Sequence, residues 1–309
     1  MGHIAILGVF VADTAYRADR APKMGETILG NSFALGPGGK GSNQAVAAGR
    51  AGGDVRFISK LGKDIFADMA FSIWNDAGVT PAVVQPEGMN TGAAYIFIEE
   101  ATGNNAIIIC PGAAGTISPE DVEAEASVIG SASVFVTQLE QPIPAAHRAL
   151  QIAKAGGATT ILNPAPAAEL PEDIYPLCDY VTPNESEAEA LTGIKVTDAT
   201  SAEAAARVFL AKGVGTALIT LGENGALLCS ANEVVHVPAL SAGPVVETTG
   251  AGDAFNGGFA VALAEGMSPA EAVRFGAATA GISVTRPGTA PSMPTRAEIE
   301  ALLNGQRPT

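Results

Sequence analysis

Short apolar runs and helical stretches take turns along most of this chain, and few architectures accept that order. Strand-like runs at residues 4–7, 55–59, 134–137, 159–162, 180–182 and 217–220 are interleaved with helix-like stretches at 40–50, 65–76, 144–155, 186–192 and 202–212. Helices between successive strands carry the chain back to the same edge, so the strands run parallel and helices cover both faces of the sheet. Ligands in such sheets bind at the carboxyl ends of the strands. Gly78 ends the second helix at a position where glycine is favoured, and the sequence Ser-Pro-Glu-Asp from Ser118 starts another with an N-cap and a first-position proline. Residues 226–229 and 234–237 read as an edge hairpin. Helices follow over about 251–265 and 269–284, the latter opened by the capping box at 268–271.

One part of the chain departs from the alternation. Residues 27–33, 82–85, 93–99 and 104–110 are β-rich, which predicts a small separate sheet, its strands drawn from about 11–35 and 82–110 and placed as a lid. The expectation is one α/β domain over residues 1–309, with no internal repeat, linker or low-complexity tail.

Charge narrows the partners. Lys and Arg number 17 against 32 Asp and Glu, a formal charge of −15, so no basic field exists to attract nucleic acid or an anionic membrane. Aromatics at 5% make a poor base-stacking platform. No apolar run approaches the roughly 18 residues of a membrane span, and the start MGHIAILGVF lacks a basic leader. Cys110, Cys178 and Cys229 are far apart with no CxxC, and are read as buried thiols of a cytoplasmic protein. His3, His147 and His236 have no metal-ligand spacing. Trp74 reads as core, and the acids at 120–125 as a solvated helix face.

Three segments carry chemistry. Residues 36–43 (GPGGKGSN) place Lys40 and Asn43 at the mouth of an Ala-rich helix, where backbone N–H groups favour an anion or a hydroxyl-rich ligand. A dinucleotide fingerprint is disfavoured there, because the glycines do not follow the first strand directly. A Walker A loop fails because Gly41 follows Lys40. Residues 247–256 (ETTGAGDAFN) put Gly250 and Gly252 in a turn that leads into an apolar helix. Such a turn makes an anion-binding nest, and Asp253 beside it suits a base that accepts a hydroxyl proton during phosphoryl transfer. Residues 182–189 (TPNESEAE) set Asn184 and Glu187 on one helical turn, compatible with hydrated Mg²⁺ and phosphate or with a plain acidic helix start.

Together with residues 24–27 (MGET), 163–166 (NPAP) and 218–222 (LITLG), these segments resemble the ribokinase-like (PfkB-type) carbohydrate kinases from the first strand to about Ser292. The GAGD turn is the family-wide element, and the long match over 38–50 is closer to the ribokinase branch. The resemblance implies a three-layer α/β sandwich with a mostly parallel central sheet and a small β-sheet lid. It implies Asp253 as catalytic base and the N–H groups of Gly250, Ala251 and Gly252 as the anion hole. Asp13, Gly39, Lys40, Asn43, Glu140 and Asp253 would hold the sugar. Asn184, Thr220, Gly222, Gly225 and Gly252 would meet ATP, with Glu187 serving Mg²⁺ and phosphate. K⁺ would lie among Glu247, Thr249, Ser283, Arg286, Gly288 and Ser292, several through backbone carbonyls. The lid would pair two subunits into a homodimer.

Two positions depart from the family pattern. Val11 stands where these kinases usually carry Asn, which weakens discrimination for a hydroxyl at that point and admits 2-deoxyribose as acceptor. Glu247 replaces the usual Asp of the K⁺ loop. The expected activity is phosphorylation of the primary hydroxyl of a pentose, ribose first. Rivals are kinases for 2-deoxyribose, fructose, 2-keto-3-deoxygluconate or a nucleoside, and a non-catalytic sugar sensor, which would not need Asp253.

Overall fold

The computed structural model describes residues 2–306. In chain order, β1 (Ile4–Leu7), β2 (Val11–Ala18) and β3 (Ser32–Gly38) precede α1 (Lys40–Arg50), β4 (Val55–Lys60), α2 (Ile65–Asp76) and β5 (Val79–Val84). Next come β6 (Thr91–Glu99), β7 (Asn105–Gly112), α3 (Pro119–Ala124), α4 (Ala126–Gly130), β8 (Val134–Thr137), α5 (Ile143–Gly156), β9 (Thr159–Leu162) and β10 (Tyr180–Val181). The chain continues through α6 (Glu185–Thr192), α7 (Ala199–Ala211), β11 (Thr216–Thr220), β12 (Ala226–Ser230) and β13 (Val234–Val237), and closes with α8 (Ala251–Ala264), α9 (Pro269–Ser283) and α10 (Arg296–Leu303).

Nine strands form the central sheet in the order β13-β12-β11-β10-β9-β8-β1-β4-β5. From β5 across to β11 every pairing is parallel, and the β12–β13 hairpin adds the antiparallel edge. Alternation along β1 divides the interior between two layers. Ile4 and Ile6 join a cluster with α1, α2, α8, α9 and α10, whereas Ala5 and Leu7 face α3 to α7. Trp74 is fully buried among Phe10, Phe57 and Phe71, and its ring N–H donates to Ser42 Oγ at 2.9 Å. It is a core residue, as the sequence suggests.

The lid is a four-stranded sheet in the order β3-β2-β6-β7. Two sequence expectations need correction here. The run at 82–85 belongs to β5, which pairs parallel with β4 at the edge of the central sheet and takes no part in the lid. A β4-α2-β5 unit returns the chain to the same sheet, as a parallel crossover does. The strand expected at 27–33 lies instead at 32–38 and runs through the glycine cluster. Pro37 is accommodated there because β3 is an edge strand, where a missing N–H leaves no ladder bond unmade. Cys178 and Cys229 are buried, but Cys110 is exposed, because it sits on β7, the outer lid strand. The helix from Ser118 breaks at Glu125 into α3 and α4. No helix among the described residues is long and apolar enough to cross a membrane.

Candidate active site

The carboxyl ends of β1, β8, β9, β10 and β11 open onto one region, and the first turns of α1 and α8 converge on it. Small residues allow that convergence. A Cβ on Gly41 would come within 2.6 Å of the Gly8 Cα, and one on Gly257 within 2.6 Å of the Ala47 Cβ, so α1 packs directly on the β1 turn and on α8. Gly39, with φ +89°, supplies the backbone reversal that lets α1 start beside Val9.

Asp253 lies in the first turn of α8 and is only 6% exposed. Asn43 Nδ2 donates to its Oδ2 and Gln44 Nε2 to its Oδ1, each at 3.0 Å. Burial pushes its pKa up, while the Lys40 charge and these two amides oppose the rise. The Lys40 backbone N–H donates to Glu140 Oε2 at 2.7 Å. Glu140 is pushed up to about 7, chiefly by burial, with Asp253 and Asp13 adding repulsion. Asp13 rises to about 6 through burial, its carboxylate lying where a side chain on Gly38 would stand. Asp13, Gly39, Lys40, Asn43, Glu140 and Asp253 are therefore brought together as one acidic cluster, with the Lys40 charge favouring ionisation of both Glu140 and Asp253.

The glycine turn ahead of α8 uses one of its three N–H groups within the turn. The Ala251 N–H donates to the Thr248 carbonyl at 3.1 Å, closing the turn in which Gly250 takes φ +82°. The N–H groups of Gly252 and Asp253 make no backbone hydrogen bond among the described residues. A Cβ on Gly252 would meet nothing within 4 Å, so the turn is open on that side.

Asn184 and Glu187 cap α6 reciprocally. Asn184 Oδ1 accepts the Glu187 N–H, and Glu187 Oε2 accepts the Asn184 N–H, both at 2.9 Å. This cap accounts for half of each side chain and leaves Asn184 Nδ2 and Glu187 Oε1 without a hydrogen bond among the described residues. Burial raises the Glu187 pKa, and the charges of Lys40 and Asp253 both reach it. Thr220 bridges to Asn184, joining the ends of β10 and β11. Gly222 faces open space, since a Cβ there would have Glu185 Oε1 as its nearest neighbour, 3.9 Å away. Gly225 is different, since a Cβ there would collide with the Val237 carbonyl. Packing against β13 accounts for that glycine without a ligand.

The 247–292 segment closes one side of the nest. Glu247 Oε2 accepts the Gly288 N–H at 2.8 Å, Ser292 Oγ donates to the Thr289 carbonyl at 2.7 Å, and Ser283 Oγ donates to the Ala280 carbonyl at 2.9 Å. Thr289 in turn donates to the Pro37 carbonyl at 2.8 Å, tying this loop to the lid strand β3, and Thr289 would touch a side chain on Gly250. The Arg286 guanidinium pairs with Glu298, so only its backbone remains for a cation. Thr249 is the residue before the Gly250 cap.

Sequence reasoning missed the buried amides behind Asp253: Gln44, Gln138 and Asn256, together with the roles of Asn163 and Thr182. The available signal was polar residues set among Ala and Gly in α1 and α8.

Known proteins resemble this chain over nearly its whole length. Residues 1–296 match the pfkB family carbohydrate kinase profile. The chain is 39% identical over 301 residues to a ribokinase of Haemophilus influenzae, covering 97% of this chain and 98% of that protein. It is 36% identical over 303 residues to a deoxyribokinase of Salmonella typhimurium, covering 97% and 98%. The solved Arabidopsis thaliana ribokinase complexed with ribose and ATP superposes with a TM-score of 0.94 at 31% identity, covering 98% of both chains. A buried Asp on the glycine turn of α8, a nine-stranded sheet with a small β lid and these full-length similarities lead to one conclusion: the chain belongs to the pfkB family of carbohydrate kinases.

Proposed function

We propose that this chain transfers the γ-phosphoryl group of ATP to the primary hydroxyl of a pentose, with ribose as the first candidate. The observation that carries the reading is Asp253, a buried carboxylate held by two amides beside the open N–H groups of the α8 turn. Asn43, whose Oδ1 is buried without a partner, would accept a sugar hydroxyl, and the carboxylates of Asp13 and Glu140 would accept others. Asp253 would then take the proton of the attacking hydroxyl, while the nest N–H groups receive the charge that develops on the transferred group. A lid closed over the cavity would exclude water as a competing acceptor.

Glu187 Oε1 is an acceptor-only group suited to the water shell of Mg²⁺, which supplies charge neutralisation on the phosphates when bound. Glu247, fixed by Gly288, and the carbonyls around Ser283 and Thr249 offer the hard oxygen donors that K⁺ needs. The nucleotide would lie along Asn184, Thr220 and Gly222. A homodimer through the lid is supported by its exposed Tyr16, Phe33, Leu35, Tyr95, Ile107 and Ile109.

A second reading, 2-deoxyribose as acceptor, is favoured by one observation. Val11 lies on the same face of β2 as Asp13, is 8% exposed, and its Cγ1 lies 2.9 Å from where a Gly92 Cβ would stand. Beside the sugar it would offer no hydrogen bond. The test is ADP release with MgATP and K⁺ across ribose, 2-deoxyribose, fructose, 2-keto-3-deoxygluconate and adenosine. Ribose should give the highest kcat/KM, and Asp253→Asn should lower kcat roughly 10²- to 10⁴-fold while sugar still binds. Undiminished turnover in that variant would remove Asp253 from the role of base.

A further inference from the structure

The polar groups behind Asp253 close into a ring. Gln44 Nε2 donates both to Asp253 Oδ1 and to Asn163 Oδ1, at 3.0 Å each. Asn163 Nδ2 donates to the Thr182 carbonyl at 3.0 Å, and Thr182 Oγ1 donates to Asn256 Oδ1 at 2.7 Å. Asn256 Nδ2 donates to the Gly252 carbonyl at 2.8 Å, and Gly252 is the residue before Asp253. Gln138 Nε2 braces the ring from outside by donating to Gln44 Oε1 at 2.6 Å. Every side chain in it is buried. The ring thus links α1, the ends of β9 and β10, and the first turn of α8.

The amide orientations are fixed by chemistry. An ionised Asp253 only accepts, so the Gln44 nitrogen must face it, and the Gln44 oxygen then faces the Gln138 donor. Asn256 likewise uses its nitrogen on the Gly252 carbonyl and its oxygen on the Thr182 hydroxyl. The ring's own side chains are all paired, which makes it rigid, while Oε1 of the bracing Gln138 is buried without a partner.

We propose that Gln44 is a positioning residue for phosphoryl transfer: it anchors Asp253 Oδ1 through this ring and leaves Oδ2, now held by Asn43, as the oxygen that receives the sugar proton. The proposal rests on the reading of Asp253 as the base. Asn43 belongs to the sugar-facing set and can exchange its Oδ2 bond for one from the substrate hydroxyl. Gln44 faces the protein interior and keeps its bond throughout. The same ring ties the carboxylate to the Gly252 backbone, so base and nest move as one unit.

Asp253 also faces Lys40 from α1, Glu140 from the loop after β8 and Glu187 from α6. A rate profile alone would mix these groups, so the test reads Asp253 directly. Protein labelled with ¹³C at the aspartate carboxyls gives an Asp253 signal, identified by its loss in Asp253→Asn. In Gln44→Met that signal should titrate roughly one to two pH units higher, the effect of deleting one charge-assisted hydrogen bond. At pH 7 kcat should fall roughly 10- to 100-fold, with the sugar KM within about threefold of the parent. Asn256→Ala, on the far side of the ring, should lower kcat while leaving the Asp253 titration in place. If Gln44→Met does not fold, Gln44→Leu replaces it, and the direction is the same because that side chain also offers Asp253 Oδ1 no donor. An unmoved Asp253 titration, or an unchanged kcat, overturns the proposal and leaves Gln44 a packing residue. Full turnover in Asp253→Asn is a separate failure, of the base assignment itself.

Discussion

Replacing Glu140 by Gln should stabilise the ligand-free protein at alkaline pH. Glu140 is partly buried, and folding lifts its pKa from the ordinary 4.5 to about 7. Burial is the main cause, with the charges of Asp253 and Asp13 adding to it, against the opposing Lys40 N–H bond. The sign follows from linkage. A carboxyl whose pKa is raised by folding favours the fold in its acid form, so its contribution is complete below pH 4.5 and is lost as the pH climbs through about 7. At about 1.36 kcal/mol per pH unit, a gap of about two and a half units amounts to about 3 kcal/mol at pH 8. An amide does not titrate, and its oxygen can still accept the Lys40 N–H. The Glu140→Gln variant should therefore exceed the parent by about 3 kcal/mol at pH 8, and by less than about 1 kcal/mol at pH 5. Urea unfolding reads this as a midpoint raised by roughly 1 M at pH 8. Sugar affinity should fall in the same variant. An equal stability difference at both pH values, or a parent that is the more stable at pH 8, would refute the reasoning.

Two further outcomes test the cavity. Gly252→Ala meets no atom within 4 Å and has no positive φ, so it should stabilise α8 by about 0.5 kcal/mol. Its methyl at the open side of the nest should still lower kcat roughly tenfold or more, and a melting curve paired with kcat measures both. Val11→Asn should raise the ribose to 2-deoxyribose ratio of kcat/KM by about tenfold or more, at about 1–3 kcal/mol of stability for the polar group buried without sugar. A ratio that stays put would remove Val11 as a determinant of acceptor choice.

Local patterns carried much of the fold. The βα alternation predicts the parallel sheet, and the GAGD turn predicts the nest, because both depend on residues adjacent in sequence. The choice of sheet is another matter. Residues 79–84 are as β-prone as those of β6, and nothing in their composition tells that β4 is their partner. The site divides in the same way. Asp253, Lys40 and Asn43 are visible as polar residues at helix starts. The ring is not, since Gln44, Asn163 and Thr182 meet only after α1, β9 and β10 are in place, and single amides leave no periodic trace. Asn184 and Glu187 show the reverse case. Their spacing of three supports a ligand reading, yet the structure uses it for a reciprocal cap and leaves one atom of each without a hydrogen bond among the described residues.

The high Gly content, 36 residues, finds its use where the helices meet. Gln44 can reach Asp253 only if α1 and α8 approach at the backbone, and that approach depends on Gly257. A Cβ there would lie 2.7 Å from the Gln44 carbonyl and 2.8 Å from the Ala48 nitrogen. Larger residues would bury more apolar surface between the two helices, but they would separate the amide from the carboxylate by more than a hydrogen bond can span. Close packing by small residues and retention of raised carboxylates at Asp13, Glu140 and Asp253 are thus two sides of one arrangement. Both give up stability that larger apolar groups would supply, and both place charge and hydrogen-bond donors around the same opening at the ends of the strands.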